Sequence, residues 1–248
     1  MNYRSRAIVL KTSDYRDADK LVTLFSEKQG KIRAVARGVK KPASSLRVCL
    51  QPFCHSQLYL SGGKELENIT QGKLLEFFPN IRENIDLTLQ VLYLMELLDK
   101  SLMDRMPLPA LYTTTLDVLA YLDSQGYNPL VSRFFEASLL KYLGYQPVLD
   151  RCVNCGRQDT RLVEFNLLQG GVICPDCSSA RASDFDFNGE SLAILRLINS
   201  TGDVKTMQRV KASDGALKNL EIFLEKYLEY HLERRFNMKK TIRTLKYL

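Results

Sequence analysis

GKIRAVARGVKK, residues Gly30–Lys41, places five cations on twelve residues with no acid among them. Within it Ile32, Ala34 and Ala36 alternate with Arg33, Val35 and Arg37, the period of two that sets successive side chains on opposite faces of a strand. One face is small and apolar and the other carries arginine. The segment therefore predicts a strand over Lys31–Val39 with a buried side and a cationic side. Widening the window to Lys28–Arg47 gives seven cations in twenty residues, still without Asp or Glu.

The flanking chain extends the pattern. Arg6–Lys11 is β-rich, Asp19–Ser26 carries Leu21, Val22, Leu24 and Phe25, and Gln29-Gly30 supplies a turn. Leu50–Leu60 and Glu65–Phe77 complete five strands, joined through the hairpin turn Ser61-Gly62-Gly63. Five short strands within residues 3–77 predict a small closed barrel, for which the OB-fold is the natural five-stranded candidate, although a different small barrel also fits.

After Pro79 the period becomes helical. Leu87, Val91, Leu94, Met95 and Leu98 recur on one face, preceded by Asn80 and Glu83 in a capping-box arrangement. Helices are expected at 109–125 and 130–143, stopped by Gly126 and Gly144. Asn188 can cap another helix, with Glu190 in its first turn, and a long helix starts at Asp214 with Leu217, Leu220, Leu224, Tyr227, Leu228 and His231 on one stripe. These stripes read as core. The expected fold is α+β in two domains: an N-terminal five-stranded OB-fold β-barrel over 1–79, then an all-helical domain over 80–248 carrying a four-cysteine zinc-ribbon-like insertion at about 148–182.

The 248 residues are 45% hydrophobic and 25% charged, the composition of a folded chain that can bury a substantial core. The formal charge of +7 is concentrated at the ends. Residues 1–79 hold 14 Lys and Arg against 7 Asp and Glu, residues 80–233 hold 15 against 21, and residues 234–248 hold 6 against none. Such a distribution favours nucleic acid or an acidic peptide as partner, and a solvated face is the plainer alternative. No segment has the apolar length of a membrane span, and Ala7–Leu10 is too short for a signal-peptide core, so a cytoplasmic location is expected.

Four of the six cysteines form Cys152-Val-Asn-Cys155 and Cys174-Pro-Asp-Cys177, two CxxC knuckles with 18 residues between them. That spacing lets four thiolates converge on one zinc ion, and Leu162–Phe165, Gly170-Gly171 and Val172-Ile173 read as the hairpin between the knuckles. Four-thiolate coordination leaves no open position for water, so the ion is expected to be structural. Disulfides and a redox pair are the rivals. The first lacks an oxidising context, and the second would need one CxxC in a βαβ setting. Cys49 and Cys54 have no metal spacing and read as buried thiols, and His55 and His231 as structural histidines. Ser61-Gly62-Gly63-Lys64-Glu65 lacks the spacing of a phosphate loop, and neither GxGxxG, HExxH nor a nucleophile elbow occurs, so no enzyme is expected.

Several segments in succession resemble one family, the bacterial DNA repair and recombination mediator RecO. They are Asp14–Phe25, GKIRAVARGVKKP through Pro42, Leu50-Gln51-Pro52-Phe53, Glu76–Asn84, Arg133-Phe134-Phe135-Glu136, and Leu143-Gly144-Tyr145 ahead of Cys152-Val153-Asn154-Cys155-Gly156. The resemblance implies binding of single- and double-stranded DNA, annealing of complementary strands and, with RecR, loading of RecA onto DNA coated with single-strand-binding protein. It also implies docking of that protein's acidic C-terminal tail on the helical domain, where Arg133 and Lys141 are the candidate residues, and a nucleoid-associated location. Beside it, the residues themselves nominate Arg33, Arg37, Lys40, Lys41 and Arg47 as phosphate contacts. Tyr15, Phe25, Phe53 and Tyr59 are the aromatic side chains available either for stacking or for core. Ala43, Ser45 and Val48 stand where the family usually adds basic residues and a glycine, and the tail Arg234–Leu248 diverges while keeping six cations. The alternative function is an RNA-binding OB-fold and zinc-ribbon protein of translation or RNA metabolism, and a third reading is an assembly adaptor.

Overall fold

The computed structural model describes residues 2–63, 66–158, 163–178 and 183–246. Lys64, Glu65, Leu162 and the last residues of the tail, named above, lie outside them. The chain divides into two compact units, residues 1–127 with 236–248, and residues 128–235.

The first unit begins with strands β1 (Asn2–Asp14), β2 (Lys20–Ser26) and β3 (Gly30–Ala36), a short helix α1 (Leu46–Cys49), and strands β4 (His55–Ser61) and β5 (Glu67–Glu76). The strands close a barrel in the order β1-β2-β3-β5-β4, with β4 returning to β1. All neighbours are antiparallel except β3 and β5, which run parallel from Ala34 opposite Glu67 to Ala36 opposite Ile69. That connectivity is the OB-fold, as the alternation around Gly30–Lys41 anticipates.

Period two accounts for the barrel interior: Ala7, Val9, Val22, Leu24, Ile32, Ala34, Ala36, Leu58, Leu60 and Ile69 form one buried cluster, closed at one end by Leu46 and Cys49 of α1. Gly72 of β5 admits that cap, since a Cβ there would stand 3.1 Å from both Leu46 and Leu58. On β1 the opposite face is buried as well, Ile8 at 0% and Leu10 at 2% exposure, because helices of the same unit cover it. Two strands begin or end differently from the sequence reading. β3 stops at Ala36, the chain turning through Gly38 at φ +63, and α1 occupies the segment before β4.

Helices α2 (Pro79–Glu83), α3 (Ile85–Ser101) and α4 (Pro109–Gln125) follow. Asn84, not Asn80, caps the long helix, its side chain accepting from Leu87 N–H at 3.1 Å, while Asn80 donates to the Asp123 carbonyl. The loop between α3 and α4 fills the gap that β5 leaves beside the first half of β3. Asp104 forms a parallel bridge with Lys31, Arg105 N–H donates to the Lys31 carbonyl at 2.8 Å, and Arg105 Nη2 meets the fully buried Glu67 carboxylate at 2.9 Å. Gly30, at φ +68, lies under this loop, and any side chain there would run into the Met106 backbone.

The second unit contains α5 (Pro129–Tyr142), strands β6 (Glu164–Asn166) and β7 (Gly171–Ile173), the single turn α6 (Pro175–Ser178), strand β8 (Phe185–Asp186), α7 (Gly189–Ser200), a 3-10 turn over Val204–Gln208, and α8 (Asp214–Leu232). α5, α7 and α8 pack on one another, and Asn188 and Ser213 cap α7 and α8 as side-chain acceptors. The antiparallel sheet β7-β6-β8 joins α8 through Phe165, whose ring lies 4.8 Å from Phe223 and 5.4 Å from Tyr227. The C-terminal helix α9 (Asn237–Lys246) belongs to the first unit and packs on α3.

Candidate nucleic-acid interface and metal centre

At the end of β3 the backbone turns through Arg37–Lys41, and the β1–β2 loop holds the turn in place. Gly38 N–H donates to the Asp19 carboxylate at 2.8 Å, and Lys40 N–H to the Ala18 carbonyl at 3.0 Å. Strands β2 and β3 with this loop form the surface on which OB-folds generally meet oligomeric ligands.

The five sequence-nominated cations all lie on this strand, turn and following helix, but they are not equivalent. Arg37, Lys41 and Arg47 are exposed and have no carboxylate within ion-pair distance among the described residues. Lys40 Nζ pairs with Asp14 at 3.0 Å and Arg33 with Asp104 at 3.6 Å. Lys31 is more deeply engaged: its ammonium donates to the Asp99 carbonyl at 2.8 Å and sits 3.4 Å from Asp104. Asp14, Asp99 and Asp104 lie outside the acid-free run, and their pairing follows from topology that no local window displays.

Of the aromatic candidates, Phe25 and Phe53 are core, 0% and 3% exposed. Tyr15 and Tyr59 are exposed at 42% and 39%, and Tyr15 lies in the loop that holds the basic turn, with the Arg16 guanidinium 5.2 Å from its ring. In the second unit Arg133 is buried and paired with Glu136 at 3.2 Å along α5. Lys141 is exposed and lines a shallow depression with Ser138, Tyr142, Ile198 and Asn199. The two are on one helix in different environments, because α5 turns one face to the core and the other to solvent.

Cys152, Cys155, Cys174 and Cys177 converge, all four Sγ atoms lying within 4.8 Å of one another. Metal–sulfur bonds of about 2.3 Å in a tetrahedron imply sulfur–sulfur edges of about 3.8 Å. Cys155 and Cys174 are 3.7 Å apart, so the donor set fits a metal ion. The predicted hairpin is β6–β7, paired from Glu164 opposite Ile173 to Asn166 opposite Gly171. Val172 N–H of β7 donates to the Val148 carbonyl at 3.0 Å and Val153 N–H to the Val172 carbonyl at 3.0 Å, which ties the first knuckle to β7. Burial alone would push the Cys152 thiol up, but N–H groups of Cys155, Cys174 and Asn154 prevail and bring it down to about 6. The Cys174 N–H to Cys152 Sγ distance is 3.3 Å. Cys177 moves the other way, to about 12, chiefly through its hydrogen bond to Cys174. A bound cation would draw the remaining protons off all four sulfurs. Cys49 and Cys54 are buried thiols of the barrel, Cys54 accepting from Arg82 at 3.2 Å.

Barrel, basic turn and four-thiolate cluster together define an OB-fold protein with an exposed basic turn and a helical, metal-competent second part. Two family models match the chain, the N-terminal part of recombination protein O over residues 1–78 and its C-terminal part over residues 82–240. The DNA repair protein RecO of Syntrophomonas wolfei subsp. wolfei is 54% identical over 246 residues, covering 99% of this chain and 98% of that protein. Its namesake from Desulforamulus reducens is 35% identical over 235 residues, covering 94% and 91%. That from Listeria monocytogenes serotype 4a is 31% identical over 238 residues, covering 94% and 92%. The chain belongs to the RecO family of DNA repair proteins.

Proposed function

We propose that this chain is a recombination mediator that binds single- and double-stranded DNA, anneals complementary strands and, with RecR, helps load RecA onto DNA coated with single-strand-binding protein. The observation that carries the reading is the exposed set Arg37, Lys41 and Arg47, without a carboxylate partner among the described residues and held beside the β1–β2 loop of an OB barrel in a RecO-family chain. Cations there neutralise phosphates and release counterions without reading sequence, and Arg33 and Lys40 extend the same surface once their carboxylate partners yield. Tyr15 offers a base-stacking face beside them. Annealing requires strands held by their backbones with base edges left open, which a phosphate-directed grip satisfies.

The ion at the four thiolates is zinc, and its role is structural, since no coordination position remains for a substrate. The acidic tail of single-strand-binding protein docks on α5 and α7 around Lys141. Arg133, paired with Glu136 in the core, supports that surface from beneath.

The test is duplex formation from two complementary strands, each coated with single-strand-binding protein and followed by fluorescence. The wild-type chain accelerates the reaction, and Arg37→Glu/Lys41→Glu/Arg47→Glu loses the acceleration and most of the DNA affinity. No acceleration by a folded, metal-loaded chain, or full activity in the triple variant, would remove the reading.

A further inference from the structure

The basic strand carries its own anion. Lys31 and Arg33 are two residues apart on the outward face of β3, and a single carboxylate, Asp104, spans them: Oδ1 lies 3.4 Å from Lys31 Nζ, Oδ2 3.6 Å from Arg33 Nη2. Two oxygens on one atom, each facing a cation, is the arrangement in which a backbone phosphate would engage the same pair.

The backbone that presents this carboxylate is fastened from three sides. Arg105 N–H donates to the Lys31 carbonyl at 2.8 Å, Arg105 Nη2 reaches the Glu67 carboxylate, which is 1% exposed, and the Met106 backbone presses on Gly30. Arg105 itself holds φ at +60, a conformation that a non-glycine residue keeps only when its surroundings impose it. The loop is thus built to hold position 104 against β3.

The two cations differ in what Asp104 does to them. The Lys31 side chain is 15% exposed and also donates to the Asp99 carbonyl near the C-terminal end of α3, so it stays in place without Asp104. Arg33 is 56% exposed, Asp104 is 53% exposed, and at 3.6 Å the pair lies beyond hydrogen-bond distance. An exposed pair of that kind is weak, so a polyanion can displace it.

We propose that Asp104 is a built-in phosphate mimic that competes with the DNA backbone for Arg33. The inference rests on β3 and its turn being the DNA-binding face. It adds that the face divides in two: Arg37, Lys41 and Arg47 are open to phosphate from the outset, whereas Arg33 is reached only as the Asp104 side chain swings away. The consequence is a grip held below the strength its cation count permits, which suits a protein that must let annealed strands go.

The test is fluorescence anisotropy with a labelled oligo(dT) strand, titrated over a range of salt concentration, on the full-length chain. Asp104→Asn keeps the shape and removes the charge. It tightens binding about two- to fivefold, the strength of an exposed ion pair, and steepens the logarithmic salt slope by about 0.7 for the additional phosphate engaged. Most of the gain disappears when Asp104→Asn is made in an Arg33→Gln background, which isolates the pair. Glu83→Gln on α2, with the same change in net charge, leaves affinity near wild type. Wild-type affinity and slope in Asp104→Asn, alongside strong weakening by Arg37→Glu/Lys41→Glu, would overturn the mimic and leave the DNA face standing. A gain in Glu83→Gln equal to that in Asp104→Asn would also overturn it, reducing the effect to net charge. If Arg37→Glu/Lys41→Glu binds like wild type, the DNA-face reading fails and the mimic with it.

Discussion

His55 opens β4 with 8% of its surface exposed, its ring edge-on to Tyr112 of α4 at 6.0 Å, and no hydrogen-bond partner for Nε2 among the described residues. Arg6 on β1, Glu27 after β2, Glu76, its cross-strand neighbour on β5, and Asp117 and Asp123 of α4, which line the same cavity, are the charged groups around it. Burial first, and the positive charge of Arg6 second, push its pKa down to about 4, with Glu27 opposing. In the unfolded chain a histidine titrates near 6.5, so as pH falls the unfolded state binds the proton first. The stability that neutral His55 contributes is therefore complete above about pH 6.5 and is lost as pH falls towards 4. Allowing for solvent near the ring, the loss is on the order of 2 kcal/mol. Urea unfolding of the wild type and His55→Phe at neutral pH and near pH 4.5 measures it. The wild type loses about 2 kcal/mol more than the variant, and parallel losses would show that His55 does not titrate between the two states. At this scale the sequence is a partial guide. It marks His55 as a structural histidine in a strand, but the Arg6, Glu27 and Tyr112 neighbours that set its proton affinity come from three other elements.

Element boundaries separate what periodicity records from what it does not. β3 was legible because its apolar positions line the barrel while Lys31 and Arg33 face out, and α4, α5 and α8 because their stripes are buried over several turns. α1 and α2, with four and five residues, complete too few turns to impose a period, so the first falls in no expected element, between the strands expected at Lys31–Val39 and Leu50–Leu60, and the second merges with α3. The C-terminal tail has a packing role that its charge does not display. Its six cations suggest a DNA contact or a solvated helix, yet α9 is docked: the Glu96 carboxylate accepts from Asn237 N–H at 2.9 Å and Met238 N–H at 2.8 Å, Phe236 is buried, and the Lys239 ammonium lies 5.2 Å from the Tyr93 ring. A carboxylate at a helix N-terminus satisfies free N–H groups and opposes the helix dipole. Glu96→Gln should weaken the docking by about 1 kcal/mol. Faster amide exchange confined to α9, with the global unfolding midpoint nearly unchanged, is the expected result. Undiminished protection would assign the docking to Phe236 and Lys239 alone.

On the scale of the whole molecule, basic ends and an acidic middle meet at the barrel, where Asp99 and Asp104 from the acidic segment sit on Lys11, Lys31 and Arg33. The run of cations was legible in the sequence, whereas its partial neutralisation depends on the α3–α4 loop returning to β3. The convergence of the four cysteines was legible, because both knuckles and the hairpin between them lie within one local stretch. Its reach goes further than its ligands. The hairpin carries Phe165, which packs edge-on against Phe223 and Tyr227 of α8, so a loosened knuckle would loosen the aromatic contact that joins the small sheet to the helices. The basic turn, by contrast, makes its supporting hydrogen bonds with Ala18 and Asp19 inside the first unit. Cys174→Ser, or removal of the ion by a strong chelator, is therefore expected to separate the two. Zinc content measured by elemental analysis falls from one ion per chain towards none, and amide protection falls in β6, β7 and α8. Affinity for single-stranded DNA stays within about twofold of the wild type, the change expected when no cation of the interface is altered. Full zinc occupancy in Cys174→Ser would refute four-thiolate coordination, while a large loss of DNA affinity on removing the ion would place the metal centre in the DNA-binding surface and not only in the frame of the second unit.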